Sequence, residues 1–187
     1  MHGLTNRRPE GHWERRLANA LRDRGELALY PQLPNPDSPR LREWCELIAA
    51  ELAILREAGT GEVVVVGHSL GAVVWLHMCA GHLIEPVDRV LLVAPAAPET
   101  LGEVPEFVLD PIDVAARVHE FSRSVTIVGS DADPWLPRGV QATYGDALGV
   151  DCMVIDGAAH LALGDGWGPW QGVIDWVIDP SADLTRR

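Results

Sequence analysis

The stretch Val63-Val64-Val65-Val66-Gly67-His68-Ser69-Leu70-Gly71 decides the fold. Four consecutive β-branched residues suit a strand buried on both faces, as in parallel sheets covered by helices. Gly67-His68-Ser69-Leu70-Gly71 then fits G-x-S-x-G, and Ala72 to Ala80 continues as an almost wholly apolar helix. Strand, sharp turn and helix is the setting in which G-x-S-x-G lifts a serine hydroxyl above a sheet. Glycines stand on both sides because side chains in so tight a turn collide with neighbouring backbone. The helix behind the serine points its N-terminus at any developing oxyanion.

Outward from this elbow the chain alternates strands and helices. Val90-Leu91-Leu92-Val93, Val125-Thr126-Ile127-Val128 and Cys152-Met153-Val154-Ile155 are further buried strands. Val173 to Ile178, with Trp176, reads as a final helix packed on the sheet. Before the elbow, Leu17, Ala20 and Leu21 mark a helix over Arg15 to Arg24, with Gly25 as its stop. Leu27-Ala28-Leu29-Tyr30 suits a short strand closed by Pro31. Leu41, Trp44, Leu47, Ile48, Leu52 and Leu55 place an amphipathic helix over Leu41 to Ala58, starting near Ser38-Pro39. This order predicts an α/β fold, a doubly wound, mainly parallel sheet with helices on both faces. Nothing splits residues 1–187 into more than one domain, and the polar tail 181–187 is expected to fray.

A serine hydroxyl alone is a poor nucleophile, so a base and an orienting acid are needed. In this architecture they follow in the order serine, acid, histidine, each on a loop after a strand. Gly129-Ser130-Asp131-Ala132-Asp133-Pro134-Trp135-Leu136-Pro137 follows the third strand, and Asp156-Gly157-Ala158-Ala159-His160-Leu161 follows the fourth. Both loops lie at the strands' carboxyl ends, where α/β sheets place their sites. Seven histidines compete for the base. His68 lies inside the elbow, His77 and His119 in helical stretches, His82 after a helix and His12 near a helix start. Only His160 stands just after a buried strand in a small-residue loop. Asp133 is preferred as acid because Pro134 fixes the turn that aims it, while Asp131 reads as a loop cap and Asp156 and Asp165 as bystanders.

Composition excludes other classes. The net charge of −12 repels phosphate backbones and anionic lipid, so no nucleic acid and no membrane surface is expected as partner. No run approaches the roughly 18 to 20 apolar residues of a membrane span, and Met1 to Pro9 lacks the apolar core of a signal peptide. Cys45, Cys79 and Cys152 are odd in number and far apart, which suits buried thiols in a reducing cytoplasm. No H-x-x-x-H spacing, Walker loop or G-x-G-x-x-G is present, so no metal and no cofactor is expected.

The elbow, the Ser130-Asp131-Ala132-Asp133-Pro134 loop and the segment from Gly157 to Trp170 resemble the small serine hydrolases related to retinoblastoma-binding protein 9 and YdeN, within the α/β-hydrolase superfamily. His2-Gly3 and Pro9-Glu10-Gly11-His12-Trp13 match that group's H-G and P-x-x-H-W-like pieces. His160 to Trp170 matches its G-x-G-x-W-like segment, with Ala159 where glycine is usual. The resemblance covers nearly the whole chain. It implies oxyanion-hole N–H groups at Leu70 and at Leu4, or at Thr5 if the loop is shifted by one. The 31 residues between Val93 and Val125 allow a loop and one helix but no cap domain, so the site should be shallow. Leu4, Leu70, Trp135, Leu163 and Trp167 are candidate walls, with packing against the last helix the competing role for Trp167 and Trp170.

One departure matters. Relatives carry an apolar strand directly before H-G, in mid-sheet beside the elbow strand, and here only Met1 precedes His2-Gly3. The expectation is a sheet that lacks this first strand within residues 1–187. An unpaired edge inside a core is costly, so either the chain begins upstream or something else fills the gap. The functional expectation is an esterase, thioesterase or amidase acting on a small-molecule acyl substrate through an acyl-enzyme. The alternatives are a non-catalytic protein-binding module on the same fold, and an acyltransferase, lyase or isomerase using the same triad. A protein partner stays open.

Overall fold

The computed structural model describes residues 1–59 and 61–187. Its centre is a four-stranded parallel sheet in the order β1 (Val64–His68), β2 (Val87–Val93), β3 (Ser122–Ser130), β4 (Met153–Ile155). The helices are α1 (Trp13–Asp23), α2 (Leu41–Ala58), α3 (Leu70–Ala80), α4 (Pro111–Phe121), α5 (Asp146–Leu148) and α6 (Gln171–Ile178). Helices on both faces of a parallel sheet are the expected α/β architecture.

Strand alternation sends the β2 residues into two separate cores. Val90 and Leu92 join α2, α3 and α4 on one face, while Leu91 and Val93 join α1 and α6 on the other. All four are fully buried, and each such side chain contributes about 1.5–3 kcal/mol. A helix pressed between sheet and neighbours must be apolar all round, and α3 buries nine of its eleven residues. Residues 94–110 form a loop with two 3₁₀ turns before α4, and no inserted domain intervenes.

Three local expectations are corrected. Among the described residues, Leu27 to Tyr30 joins no sheet and takes no regular secondary structure. Arginine side chains take its carbonyls instead: Arg22 Nε donates to Ala28 O (2.9 Å) and Arg8 Nη1 to Tyr30 O (2.5 Å). The α2 start lies at Leu41 with no side-chain cap, and Glu106 Oε2 accepts the Leu41 N–H at 3.1 Å. Residues 181–187 pack rather than fray. Leu184 is fully buried, its carbonyl accepts from Trp170 Nε1 at 2.7 Å, and Gly172 N–H donates to Arg186 O at 2.8 Å.

At the outer edge of β1, Met1 stands in the place of a ladder partner. Its ammonium donates to Val66 O at 2.6 Å, and its carbonyl accepts from His68 N–H at 2.9 Å. A cavity of about 870 Å³ runs along that edge, lined among others by Leu17, Leu21, Leu29, Val64 and Val66.

Candidate active site

Ser69 sits between β1 and α3 with φ 54° and ψ −122°, left-handed backbone that a non-glycine residue holds only where its surroundings enforce it. The enforcement is close packing. A Cβ on Gly71 would lie 2.2 Å from Met1 O, and one on Gly3 would lie 2.8 Å from the Ser69 Cβ. Only glycines let the His2-Gly3 loop and the elbow come this near.

The β3 and β4 loops bring the other two residues to the serine. His160 Nε2 is 2.8 Å from Ser69 Oγ. On the other ring nitrogen, Nδ1 lies 2.8 Å from Asp133 Oδ2 and 3.0 Å from Oδ1. A carboxylate only accepts, so Nδ1 carries the proton and Nε2 offers its lone pair to the serine hydroxyl. The Asp133 carboxylate is wholly buried and also accepts the Trp135 N–H at 2.8 Å, which fixes its aim.

Of the implied oxyanion donors, Leu70 opens α3 and Leu4 follows Gly3; among the described residues neither N–H has a hydrogen-bond partner. Thr5 is excluded as the alternative. Its N–H is already donated to Pro36 O at 2.7 Å.

The serine hydrolase family profile matches residues 1–178. The chain belongs to the serine hydrolase family. The YdeN gene product of B. subtilis shares the fold at 21% identity and TM-score 0.74, over 95% of this chain and 94% of that one. A protein described as a YdeN-like hydrolase from Pectobacterium atrosepticum matches at 21% identity and TM-score 0.68, over 94% and 85%. A monoacylglycerol lipase from Paleococcus ferrophilus matches at 16% identity and TM-score 0.59, over 97% and 93%. A search of curated proteins returns no sequence match.

Around the site of this serine hydrolase the candidate wall residues divide. Trp135 is 43% exposed, with its ring 6.2 Å from that of His160. Leu4 is half-buried against the main core, and Leu163 is half-buried beside Gly11 and Gly168. Trp167 is corrected: it is 1% exposed, packs 4.9 Å from the Trp170 ring and forms no wall. The Arg187 guanidinium covers it, 4.2 Å from the ring centre. The 870 Å³ cavity at the β1 edge includes none of Ser69, Asp133 or His160.

Several neighbours were not legible as functional residues. Asp131 Oδ1 accepts the Gly157 N–H, and Asp165 Oδ2 accepts the His160 N–H. His68 Nε2 donates to the His160 carbonyl, and Trp13 Nε1 to the Leu161 carbonyl. His12, Glu14 and His68, all buried, bring one ligand-type atom each within 4.8 Å of one another. The Glu14 carboxylate there already faces the Met1 ammonium at 3.5 Å and accepts the Tyr30 hydroxyl at 3.1 Å. Burial holds the His68 pKa well below the ordinary histidine value, and also lowers those of His2 and His12. Among the described residues no helix is long and apolar enough to cross a membrane.

Proposed function

We propose that this hydrolase cleaves a small ester, thioester or amide through an acyl-enzyme on Ser69. The observation that carries the reading is the 2.8 Å approach of His160 Nε2 to Ser69 Oγ with Asp133 behind the ring. Ser69 Oγ attacks the acyl carbonyl as its proton passes to His160 Nε2. Asp133 holds the ring and offsets the imidazolium charge. The N–H groups of Leu70 and Leu4 stabilise the tetrahedral oxyanion, a contribution of about 2.7–4 kcal/mol per donor. His160 then protonates the leaving group, and water, deprotonated by His160, attacks the acyl-enzyme and frees Ser69. Trp135 offers an apolar surface for a small acyl group. The three unpaired thiols fit a reducing compartment, so the cytoplasm is the proposed location.

Labelling with a fluorophosphonate probe tests the reading, because the probe phosphonylates only an activated serine. The wild-type chain should label and should release p-nitrophenol from p-nitrophenyl acetate, and Ser69→Ala should do neither. An unlabelled, folded wild-type chain would refute the acyl-enzyme and favour a binding module. Acyl transfer to an added alcohol or amine at the expense of water would favour a transferase.

A further inference from the structure

Both peptide groups of His160 are held by side chains. Its N–H donates to Asp165 Oδ2 at 3.1 Å, and its carbonyl accepts from His68 Nε2 at 2.9 Å. His160 lies in neither helix nor strand, so no ladder fixes its backbone. On either side, Ala159 (φ 49°) and Leu161 (φ 55°) are left-handed although neither is glycine. Backbone of that kind relaxes unless its surroundings over-determine it. Trp13 Nε1 adds a third tie, to Leu161 O at 2.9 Å.

We propose that His68 and Asp165 are positioning residues that grip the His160 peptide groups from opposite sides and so hold its imidazole at bonding distance from Ser69. The proposal rests on the reading of Ser69 and His160 as nucleophile and base. His68 is suited to the task by its place in the chain. It immediately precedes Ser69, so one covalent link and one hydrogen bond join the nucleophile's backbone to that of the base. Its ring is immobilised by Trp13 at 5.6 Å in edge-on contact and by His12 at 5.7 Å. Nε2 faces a carbonyl and therefore carries the proton, and burial keeps the ring neutral. Asp165 is exposed and holds the other peptide group, the one that carries the His160 N–H, while also accepting the Ala162 N–H at 3.2 Å.

The experiment compares substitutions that keep or remove each tie, read with p-nitrophenyl acetate. His68→Phe fills the ring's space without a donor, and His68→Gln restores an N–H near the position of Nε2. Asp165→Ala removes the acceptor, and Asp165→Asn keeps one. His68→Phe and Asp165→Ala should each lower kcat about 10- to 100-fold with KM nearly unchanged, since a misplaced base impairs chemistry and not binding. His68→Gln and Asp165→Asn should recover most of the loss. The double variant should lose less than the product of the two single losses, because both ties act on one imidazole. Asp165 is exposed, so its variants keep the test decisive even if His68→Phe fails to fold. Wild-type kcat in a folded Asp165→Ala, or no recovery in either conservative variant, would overturn the positioning role. Fluorophosphonate labelling of the wild-type chain, run alongside, separates that failure from failure of the nucleophile assignment.

Discussion

Asp131 Oδ1 accepts the backbone N–H of Gly157 at 2.7 Å and so ties the loop carrying the proposed acid to the loop carrying the proposed base. Two aspartates two positions apart thus do different work. Asp133 addresses the imidazole, and Asp131 addresses the backbone that leads to it. Asp133→Asn should lower kcat by about 10⁴-fold, because an amide N–H facing Nδ1 favours the wrong tautomer. Asp131→Ala should act chiefly on the melting temperature, through the lost loop tie. Steady-state kinetics and melts on both variants decide between them. A larger kcat loss in Asp131→Ala than in Asp133→Asn would transfer the acid role to Asp131.

Acid should destabilise the fold through its buried histidines. Burial is the first cause lowering the pKa of His2, His12, His68 and His77 below the ordinary 6.5. A histidine depressed in the folded state takes up its proton first in the unfolded chain. Stability is therefore fully present above the unfolded value and is lost as pH falls through it, by about 1.4 kcal/mol per pH unit for each proton the fold refuses. Melts from about pH 8 to about pH 5 should show a falling melting temperature that steepens below about 6.5. His68→Gln should flatten that fall. A melting temperature independent of pH across this window would mean that these rings protonate inside the fold.

The strands and the elbow were legible because their signals are local. Runs such as Val63–Val66 and Val90–Val93 announce burial on both faces, and G-x-S-x-G between strand and helix allows one local geometry. Chain order along the sheet then points to the loops holding Asp133 and His160. Leu27 to Tyr30 has the same apolar character as a strand, but arginines that no local pattern places there take its carbonyls. The ties of His68 and Asp165 leave no sequence signature because their partners are main-chain atoms of His160. The Asp165 contact spans five positions and the His68 contact ninety-two, and a backbone carbonyl leaves no mark on sequence. The tail looked polar because Leu184 is one buried residue among charged neighbours, and one residue makes no periodicity.

Two tryptophans that looked alike as site walls should separate on substitution. Trp135 is 43% exposed beside His160, whereas Trp167 is 1% exposed beneath the last helix. Trp135→Ala should raise KM for an apolar acyl ester by about 5- to 30-fold while leaving the melting temperature unchanged. Trp167→Ala should cost about 3–5 kcal/mol of stability, with KM unchanged in whatever fraction stays folded. Paired kinetics and denaturant titrations measure both effects, and an unchanged KM in Trp135→Ala would remove that residue from the acyl subsite.

The outer edge of β1 yields the remaining prediction. Among the described residues, β1 pairs with β2 on one side, and on the other Met1 alone stands in ladder register, between Val66 O and His68 N. Alternate residues of a strand turn their N–H and C=O groups to the same side, so Val64 and the Val66 N–H face the cavity along that edge. Leu17, Leu21 and Leu29 line the same cavity, ready to cover apolar side chains. An engineered extension of about four alternating apolar residues ahead of Met1 would run about 13 Å along this edge. Such a chain should melt at least about 5 °C higher than one carrying a Gly/Ser extension of equal length. Both extensions turn the Met1 ammonium into a peptide group and so lose its 3.5 Å ion pair with Glu14 equally. The difference between them therefore reads strand pairing and burial alone. Ester turnover should follow the same order, because a braced Met1 steadies Gly3 and the Leu4 N–H beside Ser69. Coincident melts for the two extensions would show that the β1 edge accepts no further strand.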